Sequence, residues 1–217
     1  MAKLILDISV SLDGFVAGPN QTLDEPLGRG GEHLHEWAFA TRAFLESHGR
    51  EGGEDNVDSE VVQEHLDRIG ATVMGRRMFS NGAGPWEQDP NADAWWGDDP
   101  PFNHPVFILT HHAREPVTKE GGTTFTFVTD GIESALEQAR AAAGEKDVGV
   151  GGGANVAQQY LKAGLLDEIQ LHVVPVLLGD GVRLFEGGDG PRRLQAARIL
   201  ESPTGVVHLR YRAGSSL

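Results

Sequence analysis

The chain has 217 residues, with 18 Lys+Arg against 32 Asp+Glu, no cysteine and a formal net charge of −14. A chain this long buries roughly 70% of the surface its unfolded form exposes, so it needs no disulfide or structural metal to form a core. The acidic balance excludes a general nucleic-acid-coating role, which needs a broad basic face. No run approaches the ~18 apolar residues of a membrane span, and the opening MAKLILDISV meets a charge at Asp7, so a cytoplasmic protein with no membrane partner is expected.

Lys3 to Val10 reads as an opening strand, and Ser11-Leu12-Asp13-Gly14 as a turn in which glycine takes positive φ. Gly14 to Gly31 reads as a long loop of the kind that binds or covers a ligand. A helix is expected over His35 to His48, then a mobile acidic loop at Glu51-Gly-Gly-Glu-Asp. Asp58, Ser59 and Glu60 precede Val61, Val62, Leu66 and Ile69, so a second helix with an acidic first turn runs to Gly70. Ala71 to Met74 is a short strand, and Gly75-Arg76-Arg77-Met78-Phe79 starts a helix behind it. Residues 81 to 104 read as loop, with Trp86, Trp95, Trp96 and Phe102 needing something to pack on.

Strands follow at Val106 to Leu109 and Thr124 to Val128, a helix at Ile132 to Ala143, and a strand at Asp147 to Val150. Gly151-Gly152-Gly153 is a turn into a helix from Ala154 to Ala163. Strands at Glu168 to Val174 and Val176 to Leu178 surround Pro175, which cannot donate to a ladder. Leu194 to Leu200 and Val206 to Tyr211 form a terminal hairpin. The alternation predicts one α/β domain over 1–217: a three-layer αβα arrangement around a mixed, mostly parallel sheet, ending in a C-terminal β-hairpin.

Three features carry chemistry. Arg76 and Arg77 stand at the positive end of a helix macrodipole, an arrangement that a bound anion would turn favourable; the alternative is pairing with some of the 32 carboxylates. Val148-Gly-Val-Gly-Gly-Gly-Ala154 runs from strand through glycines into helix, which lets a pyrophosphate approach the backbone. Gly149, Gly151 and Ala154 fit the dinucleotide fingerprint, but Asp167 and Glu168 precede their strand instead of ending it, unlike an ordinary Rossmann domain. The aromatic loops 14–31 and 81–104 suit either a lid over a flat ring or a dimer interface. His33-x-His35 and His111-His112 lack the helical spacing of a metal site, so no metal is expected.

In order and motif the chain resembles the dihydrofolate reductase-like family, most closely the riboflavin-biosynthesis reductase branch found as the C-terminal domain of bifunctional deaminase-reductases. The likeness rests on Ile8–Gly14, Thr72–Phe79, Phe107–Thr110, Gly151–Val156, Leu165–Ile169 and Pro175–Gly181. It implies NADPH as cofactor and hydride transfer to a small heteroaromatic substrate, either pterin- and dihydrofolate-like or 5-amino-6-ribosylaminouracil-like. It further implies cofactor contacts from Gly75, Arg76, Arg77, Thr110, His111, Gly151, Gly152, Gly153 and Ala154. Asp13 and Gly14 would open a substrate loop, and Asp58 or Glu60 would be the acidic group facing the substrate. A cis peptide at Gly151-Gly152 is expected by the same likeness. The alternative on the same fold is a non-catalytic NADP(H)-binding or sensor module. Trp95, Trp96 and the β-rich C-terminus lead to the expectation of a homodimer.

Overall fold

The structure is a computed structural model that describes residues 2–82, 84–93, 96–186 and 190–213. Among these residues the strands pair both parallel and antiparallel, as in a mixed sheet. The chain divides into two compact units, residues 1–5 with 69–165 and residues 6–68 with 166–217, each assembled from two segments. Strand β1 (Leu4–Ser11) contributes its first residues to one unit and the rest to the other.

In the first unit the strands are β3 (Ile69–Gly75), β4 (Pro105–Leu109), β5 (Val117–Thr118), β6 (Thr124–Val128) and β7 (Asp147–Val150). β7, β3, β4 and β6 run parallel, and β5 adds an antiparallel edge. The central strands β3 and β4 are buried along most of their length, and Val73, Met74, Val106, Ile108 and, on β7, Val148 are fully enclosed. α5 (Ile132–Ala143) buries Ala135, Leu136, Ala139 and Ala143 at helical spacing against β3 and β4. α4 (Arg76–Ser80) follows β3 directly, and α6 (Ala154–Lys162) follows β7. The enclosed Tyr160 of α6 donates its hydroxyl to the carbonyl of Ile132 (2.9 Å), which ties α6 to the first residue of α5. Segment 81–104 is not a free lid: Trp86, Trp96 and Phe102, partly buried, pack onto Met74, Phe79 and Phe125. Trp95 lies outside the described residues.

In the second unit β8 (Glu168–Val174) pairs antiparallel with β11 (Val207–Ala213), which pairs with β10 (Leu194–Glu201). The helix expected over 35–48 is instead two short ones, α1 (Glu36–Phe39) and α2 (Arg42–Ser47). Thr41 interrupts it in extended conformation, donating its hydroxyl to Ala38 and accepting from the amide of Phe44, so one side chain stops α1 and caps α2. α3 (Val57–Arg68) keeps its acidic first turn, while β3 begins at Ile69, two residues before the strand expected there. Leu34, Trp37, Val61, Val174 and Val206 form the core.

Two corrections concern loops. Residues 14–31 are not structureless: β2 (Phe15–Ala17) pairs with β9 (Val182–Arg183), and residues 18–29 close on themselves. The Gly18 amide donates to the carbonyl of Leu27 (2.8 Å), and any Cβ at Gly18 or Gly28 would run into the facing backbone oxygen. That contact is what glycine at those two positions permits. No strand forms over 176–178: past Pro175 the chain leaves the ladder, and the amides of Leu178 and Gly179 bond Asp13 instead. Gly187, Gly188 and Asp189 lie outside the described residues.

Candidate functional site

In the first unit, β7, β3 and β4 are adjacent and parallel, so their carboxyl ends come out side by side. Crevices at such ends are where open α/β sheets bind ligands. The sequence places the glycine turn 151–153 after β7, Gly75-Arg76-Arg77 after β3, and Thr110-His111 after β4, all at that edge. The turn is stitched to β3: the Gly151 amide donates to Val73 (2.9 Å) and the Gly75 amide to Gly152 (2.9 Å). Each glycine has its own reason. A Cβ at Gly151 would stand 2.7 Å from Thr72 Cγ2, one at Gly75 2.9 Å from Val156 Cγ2, while Gly152 has φ +112°. Gly153, the residue before α6, would carry its Cβ into open space. The first turn of α6 has no acidic residue, so its free amides and positive dipole end meet no competing carboxylate. The non-proline cis bond lies at Gly152-Gly153, one peptide later than expected, because Gly151 still extends the β7–β3 ladder.

The two arginines part company. Arg76 is 7% exposed, pairs with Asp89 (2.6 Å), contacts the hydroxyl of Ser80, and lies 3.3 Å over the ring of Trp86. Its charge is therefore balanced inside the protein, although Nε and Nη2 have no hydrogen-bond partner among the described residues. Burial would raise the Asp89 carboxyl, but Ser80, the Asn91 amide and Arg76 together hold it below its usual value. Arg77, one residue on, is exposed and makes no ion pair among the described residues. A short helix such as α4 turns successive side chains by about 100°, which sends one inward and the next outward. Thr110 is buried, its amide bonded to Val128 (3.1 Å) and its hydroxyl accepting from the amide of His112 (3.1 Å), whereas His111 is exposed.

The candidates in the second unit are occupied. Asp13 accepts hydrogen bonds from the Ser11 hydroxyl (2.6 Å) and the amides of Leu178 (3.2 Å) and Gly179 (2.8 Å), and the first of these leads in holding its carboxyl below the usual range. Gly14 takes φ +90° as expected and accepts from the amide of Leu184 (3.1 Å). Asp58 is fully enclosed and bonds Ser202 (2.7 Å), Thr204 (2.9 Å) and His208 (2.8 Å). Glu60, also on α3, is exposed and shares none of these partners.

Asp58 belongs to an arrangement that pattern reading missed. His208 Nε2 faces Asp58, its Nδ1 lies 2.7 Å from Nδ1 of His172, His172 Nε2 lies 2.7 Å from Asp7, and the other oxygen of Asp7 lies 3.0 Å from His65. Trp37 packs against both imidazoles, 4.6 Å from His172 and 5.0 Å from His208, with its own N–H donated to Ser9 and Leu34. The signal was present only in pieces. Asp58 and His65 stand seven residues apart, two turns along one face of α3, and the remaining members come from three strands whose pairing the sequence does not announce. Among the described residues no group of His, Asp and Glu is arranged to hold a metal ion.

Parallel strands whose carboxyl ends present a glycine turn and a basic helix start define an α/β fold with both features on one edge. Residues 2–208 match the family described as RibD C-terminal domain, and the chain belongs to it. The uncharacterized protein YyaP of Bacillus subtilis is 24% identical, over 96% of this chain and 94% of its own. A putative riboflavin biosynthesis protein from Shewanella superposes with a TM-score of 0.62 at 20% identity, over 99% of this chain and all of its own. A pyrimidine reductase-like protein of Corynebacterium diphtheriae gives 0.58 at 12% identity, covering 99% and 93%. A deaminase/uracil reductase of Thermotoga maritima gives 0.56 at 13% identity, covering 98% of this chain and 57% of that longer one. These likenesses carry the fold; the family is a reductase family.

Proposed function

We propose that this protein is a reductase using NADPH and acting on a small heteroaromatic substrate of the ribosylaminopyrimidine or pterin class. The observation that carries the reading is the carboxyl edge of β7–β3–β4, where Gly153 opens onto free space at the start of α6 and the exposed Arg77, with no ion pair among the described residues, follows the adjacent strand β3. A dinucleotide phosphate fits those residues: amides without a side chain over them, a helix N-terminus without carboxylates, and a free guanidinium. When bound, the cofactor supplies the hydride. The chain's part is to hold the phosphates at Gly151–Ala154, to place a cation at Arg77, and to give Thr110 and His111 to the adenosine end.

The second reading, an NADP(H)-binding module without turnover, is favoured by one fact: Asp58 and Asp13, the buried and half-buried acids expected near substrate, are both fully engaged by the protein itself. Titration of the full chain with NADPH and NADH, beside an NADPH-oxidation assay with dihydrofolate and with the riboflavin-pathway pyrimidine, separates them. Binding with turnover supports the reductase, binding without turnover the module, and absence of binding removes both. A cytoplasmic homodimer remains part of the proposal, tested by mass in solution. No helix among the described residues is long and apolar enough to cross a membrane.

A further inference from the structure

The chain Asp58–His208–His172–Asp7 poses a question of proton number. Its three consecutive contacts, at 2.8, 2.7 and 2.7 Å, are hydrogen bonds, and each needs one proton. Two neutral imidazoles carry two ring protons, and two ionised carboxylates carry none. One proton is missing. With only two, either a carboxylate would face a bare ring nitrogen or the two Nδ1 lone pairs would face each other at 2.7 Å, inside a site where His172, His208 and Asp58 are 3%, 4% and 0% exposed. Unpartnered polar groups enclosed in this way are strongly disfavoured.

We propose that this cluster stores one proton beyond the two that neutral imidazoles supply, and that the stored proton couples the stability of the α3, β8 and β11 packing to pH near neutrality. The surroundings act in both directions: burial and His172 draw His208 below its usual value against the pull of Asp58 and Asp7, so the extra proton follows from the hydrogen-bond count along the chain and not from His208 alone. From β1 comes Asp7, and from α3 come Asp58 and His65, the last drawn up by Asp7 against the opposing effect of burial. The remaining charged groups nearby satisfy one another: Glu64 of α3 pairs with Arg68, Arg198 and Arg210, and Arg68 also pairs with Glu168 of β8. Burial chiefly draws His35, ahead of α1, below its usual value. Facing the two acids Asp7 and Asp58 at its ends, the imidazole pair meets a counter-charge for one added proton. Ser202 and Thr204 both donate to the outer oxygen of Asp58 and fix that end of the chain.

The sign follows from counting protons. Above about pH 6.5 the unfolded imidazoles keep two ring protons, while the folded cluster keeps three. Until the cluster itself releases its proton, stability falls as pH rises, by up to tenfold in the unfolding constant per pH unit. Asp58→Asn removes the need for the third proton, because its amide can donate to His208 Nε2 and complete the chain with two neutral imidazoles.

The decisive experiment is NMR of the full chain at pH 7 with labelled histidine and aspartate. Three ring N–H protons on His172 and His208, or two together with a protonated Asp58 carboxyl, are expected. Two ring protons with both carboxylates ionised overturn the proposal. Urea unfolding from pH 7 to 8 supplies a second readout: the ratio of unfolding constants, native over Asp58→Asn, should rise about tenfold per pH unit, and parallel pH dependences would contradict the stored proton. If the variant does not fold, the spectrum of the native chain decides alone.

Discussion

Arg76 and Arg77 are neighbours in sequence with opposite situations, and this makes them separable by mutation. Arg76 is sealed against Asp89 and Trp86, so Arg76→Ala leaves an enclosed carboxylate without its counter-ion. Removing one partner of a buried ion pair costs about 3–5 kcal/mol. Arg77 is exposed and its truncation touches no packing. Denaturant unfolding should show Arg76→Ala strongly destabilised and Arg77→Ala within about 0.5 kcal/mol of the native chain. Cofactor titration should show the reverse emphasis, with Arg77→Ala weakening NADPH far more than NADH; equal loss for both nucleotides would remove Arg77 from the 2′-phosphate. The motif pointed to both arginines because spacing cannot say which side chain turns inward. The deciding group, Asp89, comes from a segment with no regular pattern.

Between β7 and α6 the glycine turn combines two demands that substitution can pull apart. Gly151 is glycine because Thr72 stands where a Cβ would be, so Gly151→Ala should cost about 1–3 kcal/mol by overpacking, read by denaturant midpoint. Gly153 has open space on that side, so Gly153→Ala should leave the midpoint nearly unchanged yet reduce NADPH affinity. Loss of stability without loss of affinity would mean that the turn is only a connection. At this scale the sequence was readable where elements are long and periodic: α5, β6, β7 and β8 run over the residues that hydrophobic spacing indicated. It was unreadable where one side chain or a distant strand decides. Thr41 splits a helix that periodicity makes continuous, and β2 and β9 are three- and two-residue strands defined only by each other. The glycines at 18 and 28, without evident purpose in the sequence, face backbone across a closed loop that only the folded chain brings together.

The chain as a whole carries a large excess of carboxylates, and the most consequential of them is buried. Burial would raise Asp7, but His172 and His65 hold its carboxyl far below the usual range. A carboxylate lowered on folding contributes stability that is present above its unfolded value near 3.9 and is lost as pH falls below it. Urea midpoints should therefore fall steeply below about pH 4, and Asp7→Asn should flatten that acid limb; an unchanged limb would contradict the pairing. The acidic surface also bears on the site, since a phosphate approaching a protein of net charge −14 needs a local cation and free amides, and the carboxyl edge of β7–β3–β4 offers both. The most direct test of that assignment is an equilibrium titration of the full chain with NADPH and NADH, beside Gly153→Ala and Arg77→Ala. The account predicts that the native chain binds NADPH more tightly than NADH, that Arg77→Ala abolishes the difference, and that Gly153→Ala weakens both. No binding of either nucleotide, or binding unaffected by both substitutions, would contradict it.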